Sequence, residues 1–291
     1  MKQHYLVYGL KNGYIHDWLV LGPAITPVAA QPEAGESALA YRARLLKAAD
    51  HVTCDFPKPP LEVEKIERFG ESLYWEAEHC QDDHLIEKSI TTPVHSYTRA
   101  WAFTRFSCPG AKSVTMSLTA CCPASVWLNG RHVKYCERVT ALDDQTAQTY
   151  TFTANIRPGN NDLLVRMEQV AAGDAVLAMA VRLENIPAAE VKIRVPTVTE
   201  QPERRQEWEE AFEYAYLDRA VYQREQPVMI VCRDEMPSWR EGTVRLQQPS
   251  GAIYAEMMVT FKAKEKLEGL LGMQLTAGRM NATLMPRAEF Y

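Results

Sequence analysis

The sequence predicts an all-β protein built of two antiparallel β-sandwiches that are joined by an α-helical linker. Three observations support this prediction. Short runs with alternating apolar residues recur between residues 97 and 184, separated by turn residues about every ten positions, which is typical of a sandwich. The dipeptide Asn129-Gly130, a strong hairpin signal, ends an apolar run that begins at Ser125. A charged helical pattern near residue 210 then precedes a second group of strand-like runs.

The first sandwich is predicted to occupy residues 1–195. Its first strands are Tyr5–Tyr8 and Trp18–Leu21, and the dipeptide Gly22-Pro23 should end the second of them. Apolar residues at three- and four-residue spacing predict a helix within 33–49. Three prolines in the run 57–60 predict a loop, because proline cannot join a ladder or a helix interior. Further strands are expected at 72–75, 97–106, 113–120, 125–129, 131–135, 149–155, 162–168 and 176–184.

Residues 196–226 are predicted to form the helical linker. Apolar side chains recur there at positions 208, 211, 212, 215 and 216, which is the spacing of an amphipathic helix over residues 203–219. Residues 227–291 return to strand-like runs and should form a second, smaller sandwich of five or six strands. The runs are 228–233, 243–247, 253–261, 267–275 and 280–285.

Composition excludes several classes of protein. The formal charge of -5 and the lack of a basic stripe argue against a nucleic-acid partner. No apolar run approaches the length of a membrane span. The N-terminal residues lack the apolar core of a secretion signal, which predicts a cytoplasmic protein or a chain trimmed of its signal.

The seven cysteines are expected to be mostly reduced and buried. Their number is odd, and no Cys-x-x-Cys pair occurs. Cys121 and Cys122 are adjacent on a predicted strand, so their side chains should point to opposite faces and cannot easily share one ion. A disulfide framework is the alternative, but it does not fit the predicted compartment.

Four stretches of the first sandwich carry a family resemblance. They are Trp18–Pro23, Ala100–Phe106, Val126–Gly130 and Ile156–Val165. In this order they resemble the galactose-binding-like jelly roll found beside the catalytic modules of bacterial glycoside-active enzymes. The second sandwich resembles an immunoglobulin-like domain through the run from Leu275 to Met285.

The resemblance implies a non-catalytic module of a larger carbohydrate-active protein. Such paired sandwiches usually precede a catalytic module of several hundred residues, and this chain has no room for one. The implied role is carbohydrate binding or the positioning of a neighbouring catalytic domain. A structural calcium ion is also compatible with the resemblance, and Asp143-Asp144 and Asn160–Asp162 could supply its oxygen ligands. Turn chemistry alone accounts for the same residues, and no other cofactor is expected.

Sugar-binding surfaces usually offer a flat aromatic ring with polar groups beside it. Trp101 meets this requirement, because Arg99 and Arg105 share its face of a strand that we expect to be solvent-exposed. The alternative is a surface decorated by cation–π contacts without a ligand. Trp75 and Trp239 lie near predicted loops and are further candidates for lining a cleft. Trp127 lies within a strand and is assigned to the core.

No catalytic or metal-binding residues are predicted. The cluster His79, Cys80, Asp82, Asp83 and His84 contains metal-ligand types, but its spacing fits no zinc motif and a polar turn explains it better. Glu71, Glu76 and Glu78 are carboxylates that the sequence alone cannot pair for hydrolysis.

Two alternative functions stay open on the sequence. One is a glycoside hydrolase or lyase with a site between the two domains. The other is a structural interaction module that forms a homo-oligomer through its sheet faces or through the helix at 203–219.

Overall fold

The computed structural model describes residues 4–68, 70–80, 83–139 and 146–213, and six shorter pieces, 215–217, 221–222, 230–232, 240–247, 253–261 and 280–281. The chain divides into two compact units, residues 1–198 and residues 199–291. None of the described helices combines the length and the apolar character that crossing a bilayer requires.

The first unit contains fifteen strands in its described residues. In chain order they are β1 (His4–Tyr8), β2 (Tyr14–Ile15), β3 (Asp17–Pro27), β4 (Lys65–Arg68), β5 (Glu71–Tyr74), β6 (Glu76–His79), β7 (Ile86–Glu87), β8 (Ile90–Cys108), β9 (Lys112–Ala120), β10 (Ala124–Leu128), β11 (Arg131–Cys136), β12 (Gln148–Ile156), β13 (Gly159–Ala175), β14 (Ala178–Leu183) and β15 (Lys192–Thr197). Helix α1 (Ala38–Lys47) lies within the predicted range 33–49, and its N-cap Ser37 accepts a hydrogen bond from the Ala40 amide.

These strands form two main antiparallel sheets. The larger sheet has the order β1-β15-β8-β13-β10-β11, and β3 joins it by pairing with both β6 and β8. The smaller sheet has the order β12-β9-β14-β2, with β7 paired to β14. Strands β4 and β5 form a separate hairpin.

The core contains buried apolar side chains from both sheets. In β13 of the larger sheet, Leu163, Val165 and Met167 are fully buried, as are Met116 and Leu118 in β9 of the smaller sheet. Alternate residues of each strand therefore face this shared core, as the period of two requires. The predicted all-β, antiparallel sandwich is confirmed for this unit.

Local turn predictions have mixed outcomes. The Asn129-Gly130 hairpin is confirmed: it joins β10 to β11 with positive φ at both residues (53° and 76°), the combination of a type I′ turn. The predicted end of β3 at Gly22-Pro23 is wrong. The strand continues to Pro27 through an irregularity in its pairing with β8, because the ladder resumes at Ala24.

The second unit contains α2 (Pro202–Glu213) and six described strands: β16 (Ala215–Leu217), β17 (Val221–Tyr222), β18 (Ile230–Cys232), β19 (Arg240–Gln247), β20 (Ile253–Phe261) and β21 (Met280–Asn281). They pair antiparallel as β16-β18, β17-β21 and β19-β20. The helix predicted at 203–219 is shorter than expected, because residues 215–217 pair with β18. The immunoglobulin-like sandwich stays a prediction, and the strand predicted at 267–275 lies outside the described residues.

The cysteine prediction agrees with the structure where it is described. Cys54, Cys80, Cys108, Cys121, Cys122 and Cys136 are all free. Cys54 is half-buried and the other five are buried. Burial raises the pKa of the Cys80 and Cys122 thiols to about 12, so these two groups are protonated and inert at neutral pH.

Candidate functional site

One face of the larger sheet points away from the core, and we call it the outer face. In β13, Val165 and Met167 face the core, so the alternating residues Arg166 and Glu168 belong to the outer face. Trp101 of β8 lies directly opposite Arg166 in the strand register and therefore shares that face. The outer face thus combines aromatic and charged side chains.

Residues 49–60, which follow α1, lie over the outer face, and we call them the covering segment. The indole Nε1 of Trp127 donates a hydrogen bond to a backbone carbonyl of this segment at 2.8 Å. The indole Nε1 of Trp101 donates to the Asp55 carboxylate at 2.9 Å. The Phe56 ring packs edge-on against Trp101, with centroids 5.5 Å apart. The chain itself thus occupies the surface where an aromatic platform was expected.

Buried ion pairs hold the covering segment in place. Arg166 Nη1 donates to Asp55 Oδ2 at 2.7 Å, and Arg68 Nη1 donates to Asp55 Oδ1 at 2.7 Å. Arg166 Nε also lies 2.9 Å from Glu168 Oε1. Burial opposes the charge on Arg166, but Glu168 and Asp55 outweigh it and raise the pKa of the guanidinium. Burial likewise opposes the charge on Asp55, and the hydrogen bond from Arg166 outweighs it and lowers the pKa of that carboxyl.

The covering segment forms one side of an open cleft of about 220 Å³. Cys54 and residues 56–59 line this side, and the hairpin turn Asn129-Gly130 lines the other together with Arg157 and Asp162. The lining is completed by three apolar side chains of the larger sheet, Phe103, Trp127 and Leu164.

Hydrogen bonds through Asn161 join the two turns of the cleft. Its amide Nδ2 donates to the Arg157 carbonyl at 2.9 Å, and its Oδ1 accepts from the Arg157 amide at 3.0 Å and from Asn129 Nδ2 at 2.9 Å. The Asp162 amide donates to Asn129 Oδ1 at 3.0 Å. Since Asn161 is fully buried, this side of the cleft is held as one rigid piece.

The cleft combines cationic and amide groups with one neutralised carboxylate. Arg105 Nε and Nη2 donate to the two oxygens of Asp162 at 2.6 and 3.1 Å. This hydrogen bonding raises the pKa of Arg105. Lys58 and Arg157 are exposed at the rim. The site can therefore donate hydrogen bonds to hydroxyl or anionic oxygens above an apolar lining.

The structure corrects the expected exposure of the predicted tryptophans. Trp101 and Trp75 are both 0 % exposed, because the covering segment lies over them. Neither ring presents a face on which a sugar could stack in this structure. Trp75 does contribute to a second cleft of about 160 Å³, which residues 55–60 also line.

The predicted arginines have different positions. Arg99 does not line the cleft: its guanidinium lies over the Tyr97 ring, 4.3 Å from the centroid, and 3.4 Å from Glu168. Arg105 adjoins the cleft through its pair with Asp162. Trp239 lies outside the described residues.

Most residues that line the cleft are not predicted from the sequence. Local patterns indicate only loop and turn roles for Lys58, Asn129, Arg157 and Asp162. The strand register is the feature that identifies these lining residues. Leu128 pairs with Leu163, which places the Asn129-Gly130 turn beside the start of β13. Sequence patterns alone do not specify that register.

Two residues of the expected polar turn, His79 and His84, lie near other histidines, and residues 81–82 are outside the described ranges. His79 Nδ1 lies 2.6 Å from Asp17 Oδ1, and His16 Nε2 lies 2.6 Å from His84 Nδ1. No group of three His, Cys, Asp or Glu residues within the described ranges has the arrangement of a metal site.

The oxygens suggested for calcium have other partners where they are described. Asn161 hydrogen-bonds within its own turn, and the Asp162 carboxylate pairs with Arg105 of β8. Residues 143–144 lie outside the described ranges.

Comparisons with known proteins give structural likenesses only. No family model and no curated protein matches the chain. Among solved structures, a family 35 carbohydrate binding module from Clostridium thermocellum has 16% identity and a TM-score of 0.24, covering 34% of this chain and 87% of that one. A family 35 carbohydrate binding module from an environmental isolate has 12% identity and a TM-score of 0.26, covering 50% and 92%. A β-glucosidase from Kluyveromyces marxianus in complex with glucose has 14% identity and a TM-score of 0.29, covering 52% and 18%. At these scores, a function for this chain has to be argued from the geometry of its own residues.

Proposed function

We propose that the first unit is a non-catalytic carbohydrate-binding module and that the sugar binds in the cleft beside the covering segment. The observation that supports this proposal is the combination of apolar lining and convergent polar groups at one end of the larger sheet. Sugar ligands need both, because their ring carbons seek apolar contacts while their hydroxyl groups require hydrogen-bond partners.

The polar groups match the needs of a hydroxylated ligand. Lys58 and Arg157 supply donors at the rim, and the Asp162 carboxylate supplies acceptors that Arg105 fixes in position. Drug-sized ligands occupy pockets of about 300–1,000 Å³. The present cleft is smaller than that, and it suits one sugar unit or the end of a longer glycan.

The absence of catalysis is part of the proposal. Glycoside hydrolysis normally uses two carboxyl groups about 5–9.5 Å apart on either side of the scissile bond. Asp162 is the one carboxylate among the described residues that line this cleft, and its oxygens are held by Arg105. This arrangement favours binding over bond cleavage. The sequence resemblance implies a neighbouring catalytic domain. We propose that sugar binding by the first unit positions such a domain.

A glycan array followed by calorimetry on the best ligand tests the proposal. Arg157→Ala and Lys58→Ala should each weaken binding by about tenfold, because each removes a charged hydrogen-bond donor. Lys192→Ala removes an exposed cation from β15, outside the cleft lining, and should leave the affinity unchanged. Failure to bind any glycan, or equal affinities for all four proteins, would refute the proposed site.

Thiol labelling gives a second test in the unmodified protein. Cys54 lines the cleft and is half-buried, whereas Cys80, Cys108, Cys121, Cys122 and Cys136 are buried. Alkylation of Cys54, followed by peptide mass spectrometry, should slow several-fold when the sugar is bound. Labelling after unfolding in urea is the control for complete reactivity. Turnover of aryl glycosides by the pure chain would contradict the non-catalytic assignment.

A further inference from the structure

Four tryptophans lie in the first unit, and three of them have an acceptor for the indole N–H. The Nε1 atoms of Trp18, Trp101 and Trp127 donate to oxygen atoms of the same unit at 3.0, 2.9 and 2.8 Å. Trp75 is 0 % exposed, but its Nε1 has no hydrogen-bond partner among the described residues. Leaving a buried donor unpaired costs free energy, so an oxygen atom that a ligand brings to this indole would be stabilised there.

Trp75 lines the second cleft, which has a volume of about 160 Å³. Residues 55–60, Glu64 and Ile66 complete its lining. The aromatic ring and the three prolines of 55–60 supply apolar contacts together with Ile66, while Lys58 and Glu64 are exposed and supply a donor and an acceptor. The second cleft therefore offers a sugar the same two kinds of contact as the cleft beside the hairpin turn, which we call the first cleft.

The two clefts meet at residues 56–59, which line both of them. The rest of the lining differs, because the first cleft includes Arg157 and Asp162 whereas the second includes Glu64 and Trp75. Their volumes are similar, at about 220 and 160 Å³. A glycan whose end unit occupies the first cleft can therefore extend over residues 56–59 and place its next unit in the second.

Contact with the buried indole requires a small shift of the chain that lines the second cleft. Residues 57–60 are suited to such a shift, because three of the four are prolines and lack a backbone N–H. No hydrogen bond joins this run to another described residue of the unit, and residues 57–59 are exposed. Exposed backbone with few hydrogen bonds moves at low cost in free energy.

The backbone beside Trp75 is strained. Val63 has a φ of +59°, and its amide donates to the Trp75 carbonyl oxygen at 2.8 Å. The Trp75 amide donates in turn to the Glu64 carbonyl oxygen at 3.2 Å. Positive φ is rare for a β-branched residue, and such strain clusters at ligand sites. An unpaired buried donor and a strained residue thus lie next to each other at the second cleft.

We propose that the second cleft is a second sugar subsite, in which a hydroxyl oxygen of the sugar accepts the indole hydrogen bond of Trp75. This inference rests on the proposed function, because the glycan enters the second cleft from the first. The bound sugar shifts residues 57–60 and supplies the acceptor that the indole lacks. Trp75 contributes its N–H and not a stacking face. The first unit therefore binds oligosaccharides more tightly than monosaccharides.

Calorimetry on the full chain with sugars of two lengths tests the second subsite. The probes are glucose, xylose, galactose and mannose, each as the monosaccharide and as its β-1,4-linked trisaccharide. The wild type should bind its best trisaccharide at least about tenfold more tightly than the corresponding monosaccharide. Trp75→Phe keeps an aromatic ring but lacks the N–H, so it should weaken trisaccharide binding about fivefold and leave monosaccharide binding unchanged.

Trp18→Phe is the matched control. It removes an indole whose N–H already has the Ile15 carbonyl oxygen as its acceptor, and Trp18 lines neither cleft. Its affinities for both sugar lengths should equal those of the wild type.

A measurement on the wild type alone covers the case in which Trp75→Phe fails to fold. Proton–nitrogen NMR correlations show one signal for each indole N–H, and a new hydrogen bond deshields the proton. The Trp75 signal should move downfield when the trisaccharide is added and stay in place when the monosaccharide is added. The Trp18 signal should stay in place with both sugars.

The outcomes separate the second subsite from the first cleft. Equal wild-type affinities for the two sugar lengths, an unchanged trisaccharide affinity in Trp75→Phe, or a Trp75 signal that stays in place at saturation would each overturn the second subsite. The first cleft would still stand if Arg157→Ala weakens monosaccharide binding. Absence of binding by every probe would refute the proposed function and the second subsite with it.

Discussion

Asp55 connects three parts of the first unit that are distant in sequence. Its carboxylate accepts hydrogen bonds from Arg68, Trp101 and Arg166, and the last of these residues is 2% exposed. Asp55→Asn should reduce the free energy of unfolding by about 3 kcal/mol. This value is the lower end of the cost of breaking a buried ion pair, because Arg166 still has the Glu168 carboxylate beside it. Urea denaturation at neutral pH measures this loss. Asp174→Asn, at an exposed residue, should stay within about 0.5 kcal/mol of the wild type.

Asp55 also determines part of the loss of folding stability at acid pH. The pKa of Asp55 is lower in the folded state, so its stabilisation is present above the pKa of the unfolded carboxyl and is lost as pH falls through the folded value. The difference in stability between the wild type and Asp55→Asn should therefore shrink as pH is lowered below about 4. A difference that stays constant down to pH 2 would show that the charge of Asp55 is not what stabilises the segment.

Single residues show where prediction from sequence reaches its limit. Alternation along β8 correctly placed Arg99, Trp101 and Arg105 on one face, because side-chain direction in a strand follows from the period of two. It could not show what covers that face. The contact between Trp101 and Asp55 spans 46 positions, and the contact between Arg166 and Asp55 spans 111, so neither leaves a local pattern in the sequence.

At the scale of an element, the path of β3 beside β8 depends on Gly22. Its φ is +103°, and a Cβ there would lie 2.9 Å from the Arg99 carbonyl oxygen and 3.1 Å from the Ala24 amide nitrogen. Gly22→Ala should cost about 2–3 kcal/mol in unfolding free energy, because it combines backbone strain with a collision against backbone atoms. Chemical denaturation measures the loss.

Gly35→Ala is the matched control for this substitution. Gly35 also has a positive φ, +79°, but a Cβ at this position would meet open space, with nothing within 4 Å beyond its own chain neighbours. It should cost only about 1 kcal/mol, which is the backbone contribution alone. Equal losses in the two variants would show that the close approach to Arg99 does not matter.

The sequence predicted the elements that their own residues determine. It did not predict the elements whose limits depend on pairing with a strand distant in sequence. The β10–β11 hairpin follows from the two residues of its turn, and α1 follows from its own apolar spacing. By contrast, β3 continues past Gly22-Pro23 because β8 offers a ladder for residues 24–27. Residues 215–217 leave the helical pattern because β18 pairs with them. In both cases a partner strand overrides the local preference.

At the scale of the whole molecule, the last strand of the first unit joins the N-terminal strand to the rest of the larger sheet. Strand β15 lies between β1 and β8, pairing with β1 along residues 193–197 and with β8 along residues 192–194. Its Ile193 and Val195 are buried in the same core cluster as the residues of β9 and β13. Residues 1–198 form one compact unit that contains these core side chains.

A fragment of residues 1–198 should therefore fold alone, unfold cooperatively and bind any glycan that the full chain proves to bind. A fragment of residues 1–190 is the control: it lacks β15, leaves β1 without its partner strand and removes Ile193 and Val195 from the core. We expect it to aggregate or to lose cooperative unfolding, because exposed strand edges and missing core side chains both disfavour the native sheet. Circular dichroism, thermal melting and light scattering on the two fragments measure the difference. If both fragments melt alike, β15 does not close the sheet in solution; if neither folds, the first unit depends on residues beyond 198.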